Sequence, residues 1–246
     1  VLLRIYDTHG VTPELIQEEA LKQGKKIEIP ENFYARIADL HEKQEQVHAT
    51  KKEVEIDLDD VPATKIKYYD DYKKLQFTGK VLRQQGRYVV LDQTCFYGTS
   101  GGQLHDTGFL GGKTVVDVVR SGNKIVHVLG VDYQFKSGET VTGNINEQRR
   151  IQLAQHHTTA HIINAAARTV LGNHINQASA YKDVMKGRLD ITHYASLTKE
   201  EVEAIEKEAN TIVQKKIPVL STFMPRSEAE KKYGFGIYQG GVPIGK

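Results

Sequence analysis

The sequence has a single cysteine, Cys95, in 246 residues, which excludes an internal disulfide framework. No apolar run approaches the ~18 residues that a membrane-spanning helix needs. The opening residues, "VLLRIYDTHG", lack a basic segment followed by a long apolar stretch, so no signal peptide is read there. Without disulfides or an export signal, the expected setting is reducing and cytoplasmic, with no membrane partner. Charge of one sign is not in excess either. Lys and Arg number 33 against 31 Asp and Glu, a formal net charge of +2. Any contact with nucleic acid therefore has to come from local clusters. Internal repeats and low-complexity segments are missing. So is an initiator Met at position 1, and neither end reads as a natural terminus. The expectation is a piece of a longer chain. Oligomeric state is left open.

What is present is an ordinary globular composition, 39% hydrophobic and 26% charged. The length suits one large domain or two modest ones. Residues 12–48 read as a helical connector. Thr12 can cap a helix that starts at Pro13 and stops at Gly24. A second helix, "FYARIADLHEKQEQVHA", has Phe33, Ile37, Leu40 and Val47 near helical spacing.

From about residue 53 to 146 the pattern changes to short strands and glycine turns. "EVEIDL" alternates, and "LQFTGKVLRQQGRYVVLD" reads as two strands around Gln84–Gly86. "KTVVDVVRSGNKIVHVLG" is a hairpin with Gly122 at its turn, and "ETVTGNI" is a further strand. Six or so short strands at this spacing predict a small barrel or sandwich. Asn146 then caps a helix over "EQRRIQLAQHHTTAHIINAAARTVLG", ended by Gly172. "GRLDITHY" and "IPVLSTFM" read as strands. "TKEEVEAIEKEANTIVQKK", capped by Thr198, and "RSEAEKKYG" read as helices. The fold class expected is α+β: a helical connector (1–50), a small β-barrel (51–146) and an α/β subdomain (147–246).

Two stretches carry the chemistry. On the helix, His157 and His161 lie about 40° apart and one turn along. They flank an apolar face assigned to Ile151, Ala154, Thr158, Ile162 and Ala165, and His156 is expected to be exposed. Two such imidazoles can each reach Zn²⁺ at about 2.0–2.1 Å. The residue after His157 is Thr158 rather than Glu, so the zinc-protease helix is not matched. Further ligands would have to come from Cys95, His105, His174 or His193, and no spacing selects among them. The second stretch is "LDQTCFYGTSGGQLHDTGFLGG" (91–112), with six glycines. It can bring bare backbone amides close to a ligand's oxygens or simply form turns between strands. It is not a nucleotide-phosphate loop.

Taken together these segments resemble the alanyl-tRNA synthetase family of the archaeal type, in its connector and editing region. "RIYDTHGVTPELI" is similar to the stretch after the synthetic domain. "LDQTCFYGTSGGQLHDTG" resembles Asp-x-Thr-x-Phe-Tyr-x-x-x-Gly-Gly-Gln-x-x-Asp-x-Gly. "HTTAHIINAAARTVLGNHINQASA" resembles the His-x-x-x-His helix with its downstream Gln, and "GRLDITHY" the Arg-Phe-Asp-Phe-Ser-His strand. "YGFGIYQGGVPIGK" resembles the approach to the family's Cys-Gly-Gly-Thr-His motif, which these 246 residues do not reach. Ala160 stands where relatives often carry Thr, and Ala180 where they carry Ser.

The resemblance implies hydrolysis of the ester in seryl- or glycyl-tRNA(Ala), with tRNA(Ala) as partner. It implies that His157 and His161 are two of four zinc ligands. It also implies that Gln177 hydrogen-bonds the substrate or the hydrolytic water. Gly101, Gly102 and Gln103 would line the approach of the terminal adenosine, with Thr99 and Ser100 as hydroxyl contacts. RNA contacts are expected from Arg149, Arg150, Arg168, Lys182, Lys186 and Arg188, with "KIKYYDDYKK" (65–74) as a second patch. ATP and Mg²⁺ belong to the family's synthetic domain. The rival readings are a freestanding editing protein, a catalytically inert tRNA-docking fragment and a generic two-histidine zinc hydrolase.

Overall fold

A computed structural model describes residues 2, 5, 13–30, 33, 54, 56–220, 222–234, 237 and 238. The Thr12 cap, the second connector helix after Phe33 and most of the C-terminal tail lie outside the described residues. In chain order the elements begin with α1 (Pro13–Lys22), β1 (Lys65–Ile66), β2 (Gln76–Gln85), β3 (Tyr88–Leu91) and β4 (Gln93–Thr94). Then come β5 (Gly108–Leu110), β6 (Lys113–Ser121), β7 (Lys124–Leu129), β8 (Thr140–Ile145) and α2 (Glu147–Leu171). The last are β9 (Gln177–Lys182), β10 (Gly187–Ile191), α3 (Lys199–Gln214) and α4 (Arg226–Tyr233). The protein is thus mixed α and β, with four bounded helices and largely antiparallel sheets among the described residues. The chain divides into two compact units. One comprises Val1–Val47, Thr159–Ser179 and Leu189–Lys246, and the other His48–Thr158 and Ala180–Arg188.

The second of these units is built on six antiparallel strands in the order β2-β3-β7-β6-β5-β8, and β8 pairs back onto β2 to close a barrel. Closure removes the exposed edges that a six-stranded open sheet would present. Along β2, exposed Gln76, Thr78 and Lys80 alternate with buried Phe77, Gly79 and Val81, as the two-residue period of a strand requires. Phe77 lies opposite Gly143 in the β2–β8 register. Its ring occupies the space a Cβ at 143 would need, so the bare backbone there lets the seam close. The β6–β7 turn has Gly122 at φ +58, as expected of that hairpin.

The interior holds Val81, Val89, Leu91, Phe96, Leu110, Val118, Ile125 and Leu129, among others. The strands β3 and β7 are buried on both faces, and β6 at Val118 and Val119, because Val90, Val119, Val126 and Val128 are covered from outside by Ile56 and Val61. This corrects one expectation. The described residues of "EVEIDL" form no strand. Val54, Ile56 and Leu58 alternate because they lean on the barrel's outer wall, without a backbone ladder.

The other unit has its own core. Ala166, Ala167, Val170 and Leu171 of α2 meet Ile205, Ala209 and Ile212 of α3, with Ile175 and Ile191 beside them. Helix α3 starts at a capping box: Thr198 Oγ1 accepts from the Glu201 amide and Glu201 Oε2 accepts from the Thr198 amide. "IPVLSTFM" is not a strand. Among the described residues no strand pairs with it, and Ile217, Val219, Leu220 and Phe223 are exposed. Beyond it, α4 carries Arg226 Nε 2.9 Å from Glu230 Oε1 and ends at Gly234.

Helix α2 begins where Asn146 Oδ1 accepts the Arg149 amide at 2.9 Å. Its buried stripe is shifted from the expected one. Ile151, Thr158 and Ala165 are exposed, while Arg150, Leu153, Ala160, Asn164 and Ala167 are buried and His157 is half-buried. Apolarity misjudges the face because Arg150 and Asn164 are polar members of it.

Candidate functional site

The site grows from a buried ion pair. Arg150, 3% exposed, faces Asp106, 0% exposed, with Nε 3.1 Å from each carboxylate oxygen. The same guanidinium donates to the carbonyls of Tyr72 and Cys95. Asp106 in turn accepts the Tyr97 amide at 2.7 Å and gives its own amide to the Tyr97 carbonyl at 3.0 Å. These bonds clamp the two ends of the loop 98–105. Thr99 and His105 tighten it further. Thr99 Oγ1 accepts the His105 amide at 3.2 Å, and the His105 ring lies 3.0 Å from Asp117 Oδ1.

Inside that loop Ser100 and Gln103 exchange backbone hydrogen bonds of 3.1 and 2.9 Å. Gly101 (φ +56) and Gly102 (φ +73) form the two-residue turn between them. Both central residues are left-handed, which is why the turn is Gly-Gly. Tyr97 Oη donates to the Ser100 carbonyl at 3.0 Å, and burial pushes that phenol up to about 12.

The turn is docked on β9. The Lys182 amide donates to the Gly102 carbonyl at 2.7 Å, and the Leu104 amide donates to the Lys182 carbonyl at 3.1 Å. A Cβ at 102 would collide with the Ala180 carbonyl oxygen. Lys182 then returns beneath the turn, 1% exposed, with Nζ donating to the Gly101 carbonyl at 2.9 Å. Burial holds its ammonium below the usual lysine range.

His157 meets the same turn. Its Nδ1 lies 2.8 Å from Gln103 Oε1, and Gln103 is 4% exposed. An amide oxygen only accepts, so Nδ1 is the donor in this hydrogen bond. Its Cε1 would lie 3.5 Å from a Cβ built on Gly101. His156 is not exposed as expected. It is half-buried, with Nδ1 2.7 Å from the Asp183 carbonyl and Nε2 2.8 Å from Gln152 Nε2, because the turn after β9 covers it.

The structure thus brings Thr99, Ser100, Gly101, Gly102, Gln103, His157 and Lys182 into one neighbourhood. It gathers an imidazole, bare glycine backbone and a buried cation. His161 is exposed one turn further along α2, and Gln177 is half-buried at the start of β9. Both fall in the first-described compact unit. Two of the expected RNA contacts are corrected. Arg150 is enclosed by Asp106 and carbonyls, and Lys182 by the glycine turn, so neither presents its charge to a phosphate at the surface. Arg149 is half-buried against the His105 carbonyl at 2.9 Å. Arg168 bonds the Ile175 carbonyl at 3.0 Å and Asn176 Oδ1 at 2.7 Å. Lys186 and Arg188 are exposed.

The candidate further metal ligands have other work. Cys95 is buried in the barrel interior, where burial pushes its thiol up. His174 Nε2 lies 2.8 Å from His193 Nδ1, in a stacked pair. Burial, and then the neighbouring imidazole, hold His174 below the usual range. Among the described residues no three His, Cys, Asp or Glu side chains form a group able to hold a metal ion. Two imidazoles fall short of the three or four protein ligands of a zinc site. The described residues alone do not fit zinc, and no step below runs through a metal.

Over residues 1–149 the sequence matches the family model described as tRNA synthetases class II (A). The chain belongs to that family. Among curated relatives, the alanine–tRNA ligase of Methanococcus maripaludis strain C7 is 44% identical over 253 residues, covering 99% of this chain and 28% of the relative. That of Metallosphaera sedula is 42% identical over 251 residues, covering 98% of the chain and 28% of the relative. That of Methanosarcina mazei is 42% identical over 252 residues, covering 100% and 27%. The chain therefore spans little more than a quarter of the length of these synthetases. The synthetase motifs read in the sequence include the glycine turn, the α2 histidines and β10. No helix among the described residues is long and apolar enough to cross a membrane.

Proposed function

We propose that this chain is the connector and editing part of an alanyl-tRNA synthetase, and that it hydrolyses the ester of seryl- or glycyl-tRNA(Ala). The whole enzyme would attach alanine to tRNA(Ala) with ATP and Mg²⁺ in the cytoplasm. The observation that carries the reading is the hydrogen bond from His157 to Gln103. It holds the imidazole at the side of a glycine turn whose sequence resembles the editing motif.

An aminoacyl ester is already activated, so holding a water in place supplies much of the rate. The His157 imidazole, held by Gln103, helps to orient that water. The water oxygen adds to the ester carbonyl, the carbon–oxygen bond to the ribose breaks, and the ribose oxygen takes the proton. The amino acid leaves as its carboxylate, and the water's other proton passes to solvent. Gln177 bonds the substrate or the water, as the resemblance implies. A zinc ion held by His157 and His161 would require ligands beyond the described residues.

A second site of this kind is needed because a pocket sized for alanine rejects glycine by only a methyl's worth of binding. A polar editing pocket reverses the preference. It bonds the serine hydroxyl, whereas alanine's methyl leaves buried groups unpaired at about 1–3 kcal/mol each. Glycine has no hydroxyl to bond, so exclusion of alanine's methyl contributes too. Arg149, Arg168, Lys186 and Arg188 would make salt-sensitive contacts to the RNA.

The test is deacylation of Ser-tRNA(Ala) by this chain, beside a Gln177→Tyr variant. Turnover that the variant loses supports the reading, and unchanged turnover removes Gln177 from the site. One rival is an inert tRNA-docking fragment. Binding of tRNA(Ala) with no turnover would support that rival.

A further inference from the structure

The glycine turn holds two facts that the reading above leaves unused. Lys182 is an ammonium at 1% exposure, and among the described residues no carboxylate pairs with it. Its one hydrogen bond is to the Gly101 carbonyl. A buried charge without a counter-charge is costly, and it is kept where its field is used. The second fact is the Gly102 amide. Among the described residues its N–H donates to no protein acceptor, although its own carbonyl is taken by Lys182. A two-residue turn leaves the amide of its second central residue without a partner of its own, and such amides are available to anions.

The two facts meet in one peptide plane. In a trans peptide, the carbonyl of residue 101 and the N–H of residue 102 point in opposite directions. Lys182 Nζ sits on the oxygen side, so the Gly102 N–H points away from it. An ammonium on the oxygen draws electron density through the amide and strengthens the opposite N–H as a donor. The paired Ser100–Gln103 backbone bonds, the Lys182 amide on the Gly102 carbonyl and the left-handed φ of both glycines hold the plane in this orientation.

We propose that the Gly102 amide, polarised from behind by buried Lys182, is an anion-binding site that takes a negatively charged oxygen of the RNA substrate. That oxygen is either a phosphodiester oxygen near the 3′ end or the ester carbonyl oxygen as it becomes an oxyanion. Lys182 is a positioning residue, since it touches the peptide and not the ligand. The inference rests on the editing reading for its substrate but not for its first test.

That test titrates ¹⁵N-labelled protein with inorganic phosphate. The Gly102 amide proton is expected to move downfield and to saturate, while that of Gly86 stays put; the Gly86 carbonyl accepts only a neutral glutamine amide. In Lys182→Met the Gly102 shift is expected to vanish while the Lys182-independent amides of the barrel keep their positions. A Gly102 amide that does not respond in the native protein overturns the proposal, and so does one that responds equally in Lys182→Met. Should Lys182→Met not fold, the Gly102 and Gly86 titrations of the native protein decide alone.

The second test is Ser-tRNA(Ala) deacylation by the full-length enzyme carrying Lys182→Met. A tenfold or greater fall in kcat at constant KM assigns the oxyanion. A comparable rise in KM at constant kcat assigns the phosphodiester. Kinetics equal to those of the native enzyme overturn the proposal. If the native enzyme does not deacylate, the editing reading fails, and the phosphate titration still decides the anion site.

Discussion

The Arg150 guanidinium wraps the Asp106 carboxylate, with Nε 3.1 Å from both oxygens and side-chain exposures of only 4% and 0%. This pair joins the first turns of α2 to the loop that bears the glycines. Removing one partner leaves the other charge buried and unpaired. Arg150→Met or Asp106→Leu is expected to cost about 3–5 kcal/mol, read as a fall in urea midpoint. Combining Arg150→Met with Asp106→Leu is expected to recover much of that loss. Additive losses in the double variant would show that no such coupling exists.

Gly102→Ala combines a left-handed φ of +73 with a Cβ that meets the Ala180 carbonyl oxygen. The docking of the turn on β9 should open. Hydrogen exchange is the direct reading: the Lys182 amide, bonded to the Gly102 carbonyl, and the Leu104 amide should lose protection. Destabilisation should exceed about 1 kcal/mol. Retained protection at both amides would mean the strand does not depend on the bare backbone.

Gln103 holds the His157 ring through one hydrogen bond of 2.8 Å. Gln103→Leu removes the acceptor of the Nδ1 proton, and the ¹⁵N shifts of the His157 ring should move. Deacylation of Ser-tRNA(Ala) should fall by roughly tenfold or more, the usual scale for losing such an orienting partner. Unchanged ring shifts would free Gln103 from this role.

His127 supplies a pH dependence unrelated to the site. It is fully buried between Thr94 Oγ1 at 2.8 Å and the Val89 carbonyl at 3.1 Å. Burial lowers its pKa from 6.5 to about 4. Above pH 6.5 the imidazole is neutral in both folded and unfolded chains, and no penalty applies. As pH falls from 6.5 towards 4 the unfolded chain takes a proton that the folded chain refuses. Stability should therefore drop by about 3 kcal/mol across that window. Urea titrations at pH 7 and pH 4.5 on the native protein and on His127→Phe check this. An equal pH dependence in both would exclude His127 as the source.

The hairpins and the long helix were legible because their signals are local. Gly122 at the β6–β7 turn, Asn146 ahead of α2 and the Thr198–Glu201 box each act within a few residues. Longer-range features misled the pattern. "EVEIDL" and "IPVLSTFM" alternate as strands do, but a strand needs a partner, and alternation does not say whether one exists. The buried stripe of α2 was missed by one position because its members include Arg150, Asn164 and His157. Arg150 and His157 sit there because Asp106 and Gln103, 44 and 54 residues away in sequence, bond them. Lys182 was read as a surface cation for the same reason: composition marks a charge but not what covers it. The resemblance picked out the glycine turn and His157, whose contact is now seen, whereas the bond partner of Lys182 is a backbone carbonyl that leaves no mark in sequence.

The turn at 101 and 102 offers an incoming molecule peptide groups and no side chain. Selection has no handle on such a surface, since every substitution at 102 breaks the docking before it can adjust recognition. Any change in which ester is accepted must be written in the neighbouring side chains, with the turn itself serving as a fixed anvil against which they are tuned.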